Sequence, residues 1–291
     1  MSSEQTFGGE WTKAKLDSLA KYLRAYTKIF TRNPHAKFFT TVYVDAFAGG
    51  GYIKEETSDA SLQDLFPDLT EEDTQGFIKG SAVRALEVEP GFDEYLFIEQ
   101  SQERCGELEK LKAAHPQKVI EIKNANANEY LGEWCKKTDW HKKRAVVFLD
   151  PYGMEVEWAL LEKIARTHAI DLWLLFPLGI GVMRLLTKRK PPPPEWARRI
   201  TTIFGTKDWK EEFYSTRPTL FGGETEERDA GYKAVGNFFL IRLKTIFTQV
   251  AEKPLVLRNS KNAPLYLFCF AAGNPKGAPK AVKIAQDIIG K

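Results

Sequence analysis

Three acidic residues stand at the ends of apolar segments, where their carboxylates could hold a small ligand. Asp45 follows TTVYV and precedes AFAGGG, Glu99 ends EYLFIE, and Asp150 ends RAVVFLD just before Pro-Tyr-Gly. Carboxylates accept hydrogen bonds from hydroxyl and ammonium groups, and glycines let backbone N–H groups come close to a ligand. Each segment alone is also typical of an ordinary tight turn. Their joint occurrence predicts a binding site for a nucleotide-like molecule.

The elements around these residues must bring them together. Apolar, β-branched segments alternate with amphipathic ones over 11–176, which predicts helices alternating with the strands of a parallel sheet covered on both faces. Ligands of such sheets bind beyond the carboxyl ends of the strands. The predicted strand ends are Asp45, Glu99-Gln100, Asn124 to Asn128, Asp150 and Phe176. The segments PLVLRN and LYLFCFAAG then predict a closing antiparallel hairpin.

The composition of the chain limits the classes of protein to which it can belong. The chain has 291 residues, 43 % of them hydrophobic, which is enough for a sizeable core, and its formal net charge of +3 demands no polyanionic partner. We expect one domain over 1–291, with an acidic loop or lid at 52–79 and a helical insertion at 182–250. Scattered cysteines, no metal-ligand spacing, no signal peptide and no apolar run of membrane length predict a cytoplasmic protein without a metal site.

The spacing after Asp45 discriminates between nucleotide-like cofactors. A nicotinamide site needs G-x-G-x-x-G directly before a helix, with an acidic residue about 20 positions further on. Here the next predicted helix begins only near Gly80, Glu99 lies far downstream, and the sequence contains no Walker A motif. S-adenosylmethionine (SAM), which has no phosphate, fits better, with Asp45 near its ammonium group and Glu99 near its ribose hydroxyls. A nicotinamide oxidoreductase is the less favoured alternative.

Several motifs resemble those of one known family. The segments DAFAGGG, GS, FIEQ, NANANEYL, FLDPYG and LLFPLGIGVMR, with the opening WTKAKLDSLAKYLRAY, are similar to those of the three-Cys-motif partner proteins, a prokaryotic group. The resemblance implies an α/β, Rossmann-like class I methyltransferase fold. This fold has a mostly parallel seven-stranded central sheet, a C-terminal antiparallel hairpin and helices on both faces, here with the helical insertion. The family name also implies a partner with a three-cysteine motif that resembles radical-SAM proteins.

The same resemblance implies where SAM would bind. Residues 45–51 match the family's first motif and Glu99 its second, while Asn126 stands where the family more often has an aspartate for the adenine amino group. An asparagine can accept that bond through its carbonyl oxygen. Lys15 on the first helix could reach the cofactor, although the alternative of a surface position is favoured for a lysine on a helix. The predicted cofactor-binding residues are Lys15, Asp45, Ala46, Phe47, Gly49, Gly51, Ser81, Glu99, Gln100, Asn126 and Ala127.

The motif DPYG resembles the DPPY of amino-group methyltransferases. By this resemblance the Asp150 side chain and the Pro151 carbonyl would accept hydrogen bonds from a target amine, and Tyr152 would stack on its base. Alignment of this kind supplies much of the catalysis in a direct displacement. The second proline of DPPY is missing, so Tyr152 stands one position early. The alternative is therefore a catalytically weak or inactive module that binds the three-Cys-motif partner.

Basic residues in the insertion are candidates for binding the substrate. Those beside Trp196 could form a basic and aromatic contact for nucleic acid, and a solvated surface is the alternative. The predicted substrate-binding residues are Lys188, Arg189, Trp196, Arg198 and Arg199. The favoured function is N-methyl transfer to an amino group of a nucleic-acid base or a nucleotide.

Overall fold

The computed structural model of the chain describes residues 10–49, 80–218, 224–259 and 261–290. The predicted acidic loop at 52–79 and the predicted cofactor residue Gly51 lie outside these ranges. Within them, eight strands form one sheet and two more form a separate ribbon. Every described helix is too short or too polar to cross a membrane.

The element bounds follow the predicted alternation of helices and strands. The helices are α1 (Glu10–Arg32), α2 (Ser81–Leu86), α3 (Gln102–Ala113), α4 (Ala127–Lys137), α5 (Trp158–Arg166), α6 (Met183–Leu185), α7 (Pro194–Phe204), α8 (Trp209–Phe213), α9 (Tyr232–Lys244) and α10 (Ala278–Ile289). The strands are β1 (Thr40–Asp45), β2 (Glu94–Glu99), β3 (Val119–Asn124), β4 (Lys143–Leu149), β5 (Ile170–Phe176), β6 (Tyr214–Pro218), β7 (Glu224–Arg228), β8 (Gln249–Val250), β9 (Leu255–Arg258) and β10 (Pro264–Ala272). A π-helical turn, Leu178–Val182, joins β5 to α6.

The sheet has the strand order β3-β2-β1-β4-β5-β10-β8, with β9 also paired to β10. Strands β1 to β5 pair in parallel, and β10 runs antiparallel to β5. Because β8 pairs with 271–272 of β10 and β9 with 264–268, both short strands share the outer edge of β10. The predicted mostly parallel sheet with a closing antiparallel hairpin is confirmed, but it has eight strands and not the predicted seven, because β8 and β9 share one edge.

Apolar side chains cover both faces of the sheet. Alternate residues of one strand point to opposite faces, so Val42 and Val44 join one core cluster and Tyr43 the other. The first cluster includes residues of α4, α5 and α9, and the second includes residues of α1 and α10. Burial on both faces explains why β4 is an almost continuous apolar run.

The insertion between β5 and β8 differs in part from its predicted helical character. Strands β6 and β7 form an antiparallel ribbon in which Tyr214 pairs with Arg228. Residues 227–250 have the apolar spacing of one long amphipathic helix, but α9 occupies only the middle of this segment, because β7 includes its first residues and β8 its last. The four prolines at 191–194 lie outside any helix interior. Residues 191–193 form no helix, and Pro194 begins α7, a position that tolerates its missing N–H.

Candidate functional site

The three acidic residues singled out in the sequence lie at neighbouring strand ends. Strand β1 lies between β2 and β4, all three parallel, so their carboxyl ends meet at one edge of the sheet. Asp45, Glu99 and Asp150 are 0 %, 7 % and 8 % exposed. Buried carboxylates need partners, because an unpaired charge is costly away from water. Their partners define the site.

Glu99 joins the loops that follow β1 and β2. Its Oε2 atom accepts the backbone N–H of Gly49 at 3.0 Å, and its Oε1 atom accepts the backbone N–H of Ser101 at 2.8 Å. Gly49 has a φ of 61°, a backbone conformation that favours glycine. Each carboxylate oxygen has two lone pairs, so Glu99 can hold both loops and still accept a bond from a ligand hydroxyl.

Asp45 is fully enclosed behind the same loop. Its Oδ1 atom accepts the backbone N–H of Phe47 at 3.3 Å, and its Oδ2 atom lies 3.4 Å from the Tyr43 hydroxyl. Burial raises the pKa of Asp45 to about 7, opposed chiefly by a hydrogen bond from the Ser81 side chain. Gly80 holds the N-cap position of α2 with a φ of 99°, and the side chain of Ser81, a predicted cofactor-binding residue, binds Asp45.

A buried ion pair connects α1 to the loop after β4. Lys15 Nζ lies 2.5 Å from Asp150 Oδ2, and the two side chains are 1 % and 6 % exposed. The alternative of a surface position for Lys15 is therefore wrong. Burial raises the pKa of Asp150, and the Lys15 ammonium opposes this shift. The second oxygen, Asp150 Oδ1, is buried without a hydrogen-bond partner among the residues that the structure describes.

A cavity of about 730 Å³ opens beside these carboxylates. Seven of the predicted cofactor and catalytic residues line it: Ala46, Phe47, Glu99, Gln100, Asn126, Ala127 and Tyr152. The predicted substrate residues Arg198 and Arg199 line it as well, since α7 lies at its rim. The other described residues predicted for the site are not part of its lining: Lys15, Asp45, Gly49, Ser81, Asp150, Pro151, Lys188, Arg189 and Trp196.

Two of the residues outside the lining have a different structural role. The Lys188 carbonyl accepts the backbone N–H of Arg228 at 2.9 Å, and the Arg189 carbonyl accepts a bond from the Thr225 hydroxyl at 3.3 Å. Both contacts use the backbone, so the basic segment packs along β7 and leaves its side chains exposed. Trp196 on α7 is 38 % exposed.

Arg104, which the sequence analysis did not single out, positions Tyr152. Its Nη1 atom donates to the Tyr152 hydroxyl at 2.9 Å, and its guanidinium lies 5.2 Å from the centroid of the tyrosine ring. Arg104 stands in the first turn of α3, directly after the Glu99 loop. A basic residue in that turn is common on any surface helix, so only the folded arrangement identifies this contact.

Asn126 caps α4 at the wall of the cavity. Its Oδ1 atom accepts the backbone N–H groups of Asn128 at 2.9 Å and Glu129 at 3.3 Å. Asn128 in turn donates to the Glu155 carbonyl at 2.7 Å and accepts the Glu157 N–H at 3.0 Å. These bonds join the start of α4 to the loop that carries Tyr152. The oxygen expected to meet an adenine amino group therefore already holds the helix.

A scan against family models and a search of curated protein sequences gave no match. Among solved structures, a Legionella pneumophila protein of the family model DUF519 aligns over 97 % of this chain and 92 % of its own, with TM-score 0.52 and 14 % identity. An S-adenosylmethionine-dependent methyltransferase from Clostridium acetobutylicum aligns over 87 % and 92 %, with TM-score 0.35 and 11 % identity. The N-terminal domain of EvdMO1, solved with S-adenosylhomocysteine (SAH) bound, aligns over 87 % and 79 %, with TM-score 0.33 and 15 % identity.

The alignment with the Legionella pneumophila protein supports the overall fold. The TM-scores of the other two alignments are too low to support a conclusion. The strand order and the antiparallel hairpin define the chain as a protein with a Rossmann-like, class I methyltransferase fold. Membership of the three-Cys-motif partner family stays a prediction from the sequence motifs.

Proposed function

We propose that this protein binds SAM in the cavity beside Glu99 and transfers its methyl group to an amino nitrogen of a nucleic-acid base or a nucleotide. The cavity, about 730 Å³, falls within the range of roughly 300–1,000 Å³ that is usual for small-molecule sites. Glu99 has acceptor capacity for ribose hydroxyls, and Phe47 and Ala125 supply apolar wall. When bound, SAM supplies a methyl group activated by a sulfonium ion.

The observation that carries the proposal is the second oxygen of Asp150. A buried acceptor without a partner costs about 1–3 kcal/mol, so it needs an explanation, and a bond from a substrate that reaches past Tyr152 is the one that we propose. Lys15 holds the other oxygen, which fixes the orientation of the carboxylate. Asp150 immediately precedes Pro151 and Tyr152, and Tyr152 lines the cavity. An amino N–H of the substrate would complete the set of bonds around Asp150.

The chain's own residues would orient the reacting nitrogen. Asp150 Oδ1 and the Pro151 carbonyl would accept its two N–H bonds, which turns its lone pair toward the methyl group. After it accepts the methyl group, the nitrogen would release a proton to solvent. Tyr152, held by Arg104, would stack against the base. Positioning of this kind supplies much of the rate of a displacement.

The cavity rim supports a polyanionic substrate. Arg198 and Arg199 line the cavity on the side formed by α7, and both are exposed. Guanidinium groups bind phosphate in a bidentate geometry. A base entering the cavity would therefore leave its phosphates near two fixed positive charges. This arrangement favours nucleic acid or a nucleotide over an uncharged amine.

The decisive experiment combines SAH titration by calorimetry with transfer of tritium from labelled SAM to RNA or DNA. We expect Asp150→Ala to reduce transfer by roughly 10²- to 10³-fold while SAH binding changes little. Asp287→Ala, at an exposed aspartate on α10, is the matched control and keeps full transfer. No SAH binding at millimolar concentration, or an Asp150→Ala variant as active as the parent, would overturn the proposal.

A second pair of variants separates chemistry from folding. Asp150→Ala leaves Lys15 buried without its anion, which can unfold the chain by itself. The double variant Lys15→Met with Asp150→Val removes both charges and both acceptor oxygens of Asp150 while keeping most of the volume of the pair. We expect it to be folded, by its circular dichroism and cooperative unfolding, and still to lack transfer. Transfer by this folded double variant contradicts the role of Asp150.

A second candidate function is that of a catalytically weak or inactive module that binds a three-Cys-motif, radical-SAM-like protein. The observation that favours it is the engagement of Asp150 Oδ2 by Lys15, together with the single proline after Asp150. Co-expression with such a partner and size-exclusion chromatography tests it. A stable complex together with absent transfer supports the module, and separate elution of the two proteins rejects it.

A further inference from the structure

A second cavity, about 780 Å³ in volume, lies at the opposite edge of the sheet. It is formed between the end of α1, the starts of β4 and β5, and the start of α10. Strand β10 runs antiparallel to β5, so its carboxyl end and the helix after it reach the edge where β1 to β5 begin.

Aromatic rings form one wall of the second cavity. Phe38 and Phe39 have ring centroids 3.9 Å apart, and Tyr26 and Phe30 have centroids 4.7 Å apart. All four line the cavity. Phe38 is 68 % exposed, although it is a large apolar side chain in a folded protein. An exposed aromatic ring at the mouth of a cavity is suited to stacking on a planar ligand.

Polar groups form the floor of the cavity. Asp171 is only 8 % exposed and accepts the Tyr22 hydroxyl at 2.6 Å. Burial raises the pKa of Tyr26 well above its ordinary value, the Asp171 carboxylate adds to this shift, and the Arg144 guanidinium opposes it. The Tyr26 hydroxyl therefore lies within electrostatic reach of both an acceptor and a cation.

Arg144 contributes a hydrogen-bond donor that the described residues do not satisfy. Its Nη1 atom donates to the carbonyls of Trp140 at 2.5 Å and Lys143 at 2.7 Å, and its guanidinium lies 3.7 Å from the Phe39 ring centroid. Its Nε atom is buried and has no hydrogen-bond partner among those residues. Because other atoms of Arg144 line the cavity, a rotation of its guanidinium would bring this N–H to a ligand acceptor.

Two lysines stand at the rim. Lys276 and Lys280 line the cavity at the start of α10, and the His35 side chain lines it from the segment after α1. The three are exposed, and Asp171 is the one carboxylate in the described lining. The rim therefore favours an anion, while the floor presents both an acceptor and a donor. A purely apolar ligand would leave Asp171 and the Arg144 Nε–H without new partners.

We propose that this second cavity binds a nucleoside phosphate, with the base against Phe38 and Phe39, its polar edge toward Asp171 and Arg144, and the phosphate at Lys276 and Lys280. Base stacking on aromatic rings within a basic surface is a common way in which proteins hold the bases of single-stranded nucleic acids. The nucleoside phosphate is either a free nucleotide or one residue of a single strand. The site is separate from the SAM cavity, so the inference does not depend on methyl transfer.

Calorimetric titration with guanosine and uridine 5′-monophosphates tests the site, because neither carries the adenosine of SAM. We expect millimolar or tighter binding, weakened roughly tenfold by Phe38→Ala and roughly three- to fivefold by Lys280→Ala. Tyr232→Ala and Lys283→Ala are matched controls, since both residues are exposed and stand outside the lining of either cavity. We expect both controls to bind as the parent protein does.

Two further measurements identify which cavity binds the nucleotide and whether the ligand is a free nucleotide or part of a single strand. Arg198→Ala alters the first cavity only, so it leaves this binding unchanged if the second cavity is the site. A single-stranded hexauridylate that binds more tightly than uridine 5′-monophosphate identifies a strand, and equal affinity identifies the free nucleotide. No binding by the folded protein, or binding that Arg198→Ala weakens and Lys280→Ala does not, overturns the proposal.

Discussion

Helix α1 binds a buried aspartate at each end of the sheet, and the two contacts differ in chemistry. Near its start, Lys15 pairs with Asp150 at the carboxyl ends of the strands, at 2.5 Å. About two helical turns later, Tyr22 donates to Asp171 at the amino ends, at 2.6 Å. The two aspartates are equally buried, each 8 % exposed. The ends therefore differ in the charge of the partner and not in the degree of burial.

This difference determines which kind of ligand each end of the sheet is suited to bind. An ammonium partner stabilises the ionised carboxylate, so Asp150 can keep its charge and present its second oxygen as an acceptor. At Asp171 the partner is the neutral hydroxyl of Tyr22, whose hydrogen bond only partly offsets the effect of burial on the pKa. The pKa of Asp171 is therefore raised to about 7, chiefly by burial. The Lys15 ammonium thus favours the charged form of Asp150, while the carboxyl group of Asp171 changes charge near neutral pH.

The largest expected effect is the loss of the ammonium partner. Lys15→Met leaves the Asp150 charge buried without a counter-ion, so we expect a loss of about 3–5 kcal/mol in the free energy of unfolding at pH 8. The loss becomes smaller as the pH falls, because the isolated carboxyl group can take up a proton. Urea unfolding followed by circular dichroism measures both quantities.

Lys13→Met is the matched control for Lys15→Met. Lys13 stands on the exposed face of the same helix, so we expect its replacement to change the free energy of unfolding by less than about 0.5 kcal/mol. Equal stability of the Lys15→Met variant and the parent protein would mean that the pair contributes no net stability. The Lys15–Asp150 pair would then not differ in stability contribution from the neutral Tyr22–Asp171 contact in the way that we expect.

The second effect is the pH dependence that Asp171 contributes. Its pKa in the folded chain, about 7, is above its ordinary value of 3.8, so the folded state binds more protons between these values. The associated stability is complete below about pH 4 and is lost as the pH rises through 7, with a slope of at most about 1.4 kcal/mol per pH unit. Asp171→Asn removes this titration, and we expect a shallower fall in the free energy of unfolding between pH 5 and 7.

Asp45 also contributes to the pH dependence of the free energy of unfolding, so part of that dependence remains in the Asp171→Asn variant. Its pKa is also raised to about 7, chiefly by burial, so it contributes with the same sign. Asp171→Asn should therefore reduce the pH dependence without abolishing it. Urea midpoints at several pH values give the slope for each variant. A slope that stays at the parent value shows that Asp171 does not change its protonation between pH 5 and 7.

The sequence predicted the parts of this architecture that repeat along the chain. Alternating apolar and amphipathic segments gave the five parallel strands and the hairpin, and the residues after each strand located the first cavity. Contacts that join distant segments could not be predicted this way. Lys15 was open to a surface interpretation, because the partner that buries it is 135 positions away. Arg104 stood in an ordinary helical turn, and its contact with Tyr152 depends on two loops meeting.

The ribbon and the second cavity were missed for related physical reasons. Strands β6 and β7 carry mainly polar residues, and their pairing gives no apolar alternation to detect. The second cavity depends on the antiparallel direction of β10, which places the start of α10 at the opposite edge. Its lining comes from segments that no single motif connects, so sheet topology had to be known before Asp171 and Arg144 could be placed together.

The smallest expected effect is the loss of the neutral partner at the amino end. Tyr22→Phe removes the hydrogen bond to Asp171 and keeps the ring, which packs against Trp173 at 5.3 Å and Phe270 at 4.8 Å. We expect a loss of about 1 kcal/mol, well below that of Lys15→Met, because the carboxyl group can stay protonated when its partner is lost. The loss should be greater at pH 8 than at pH 6, since only the ionised carboxylate depends strongly on the donated bond. Urea unfolding of both variants at these two pH values makes the comparison directly. A Tyr22→Phe variant that loses as much stability as Lys15→Met at pH 8 would show that the charge of the partner does not distinguish the two ends.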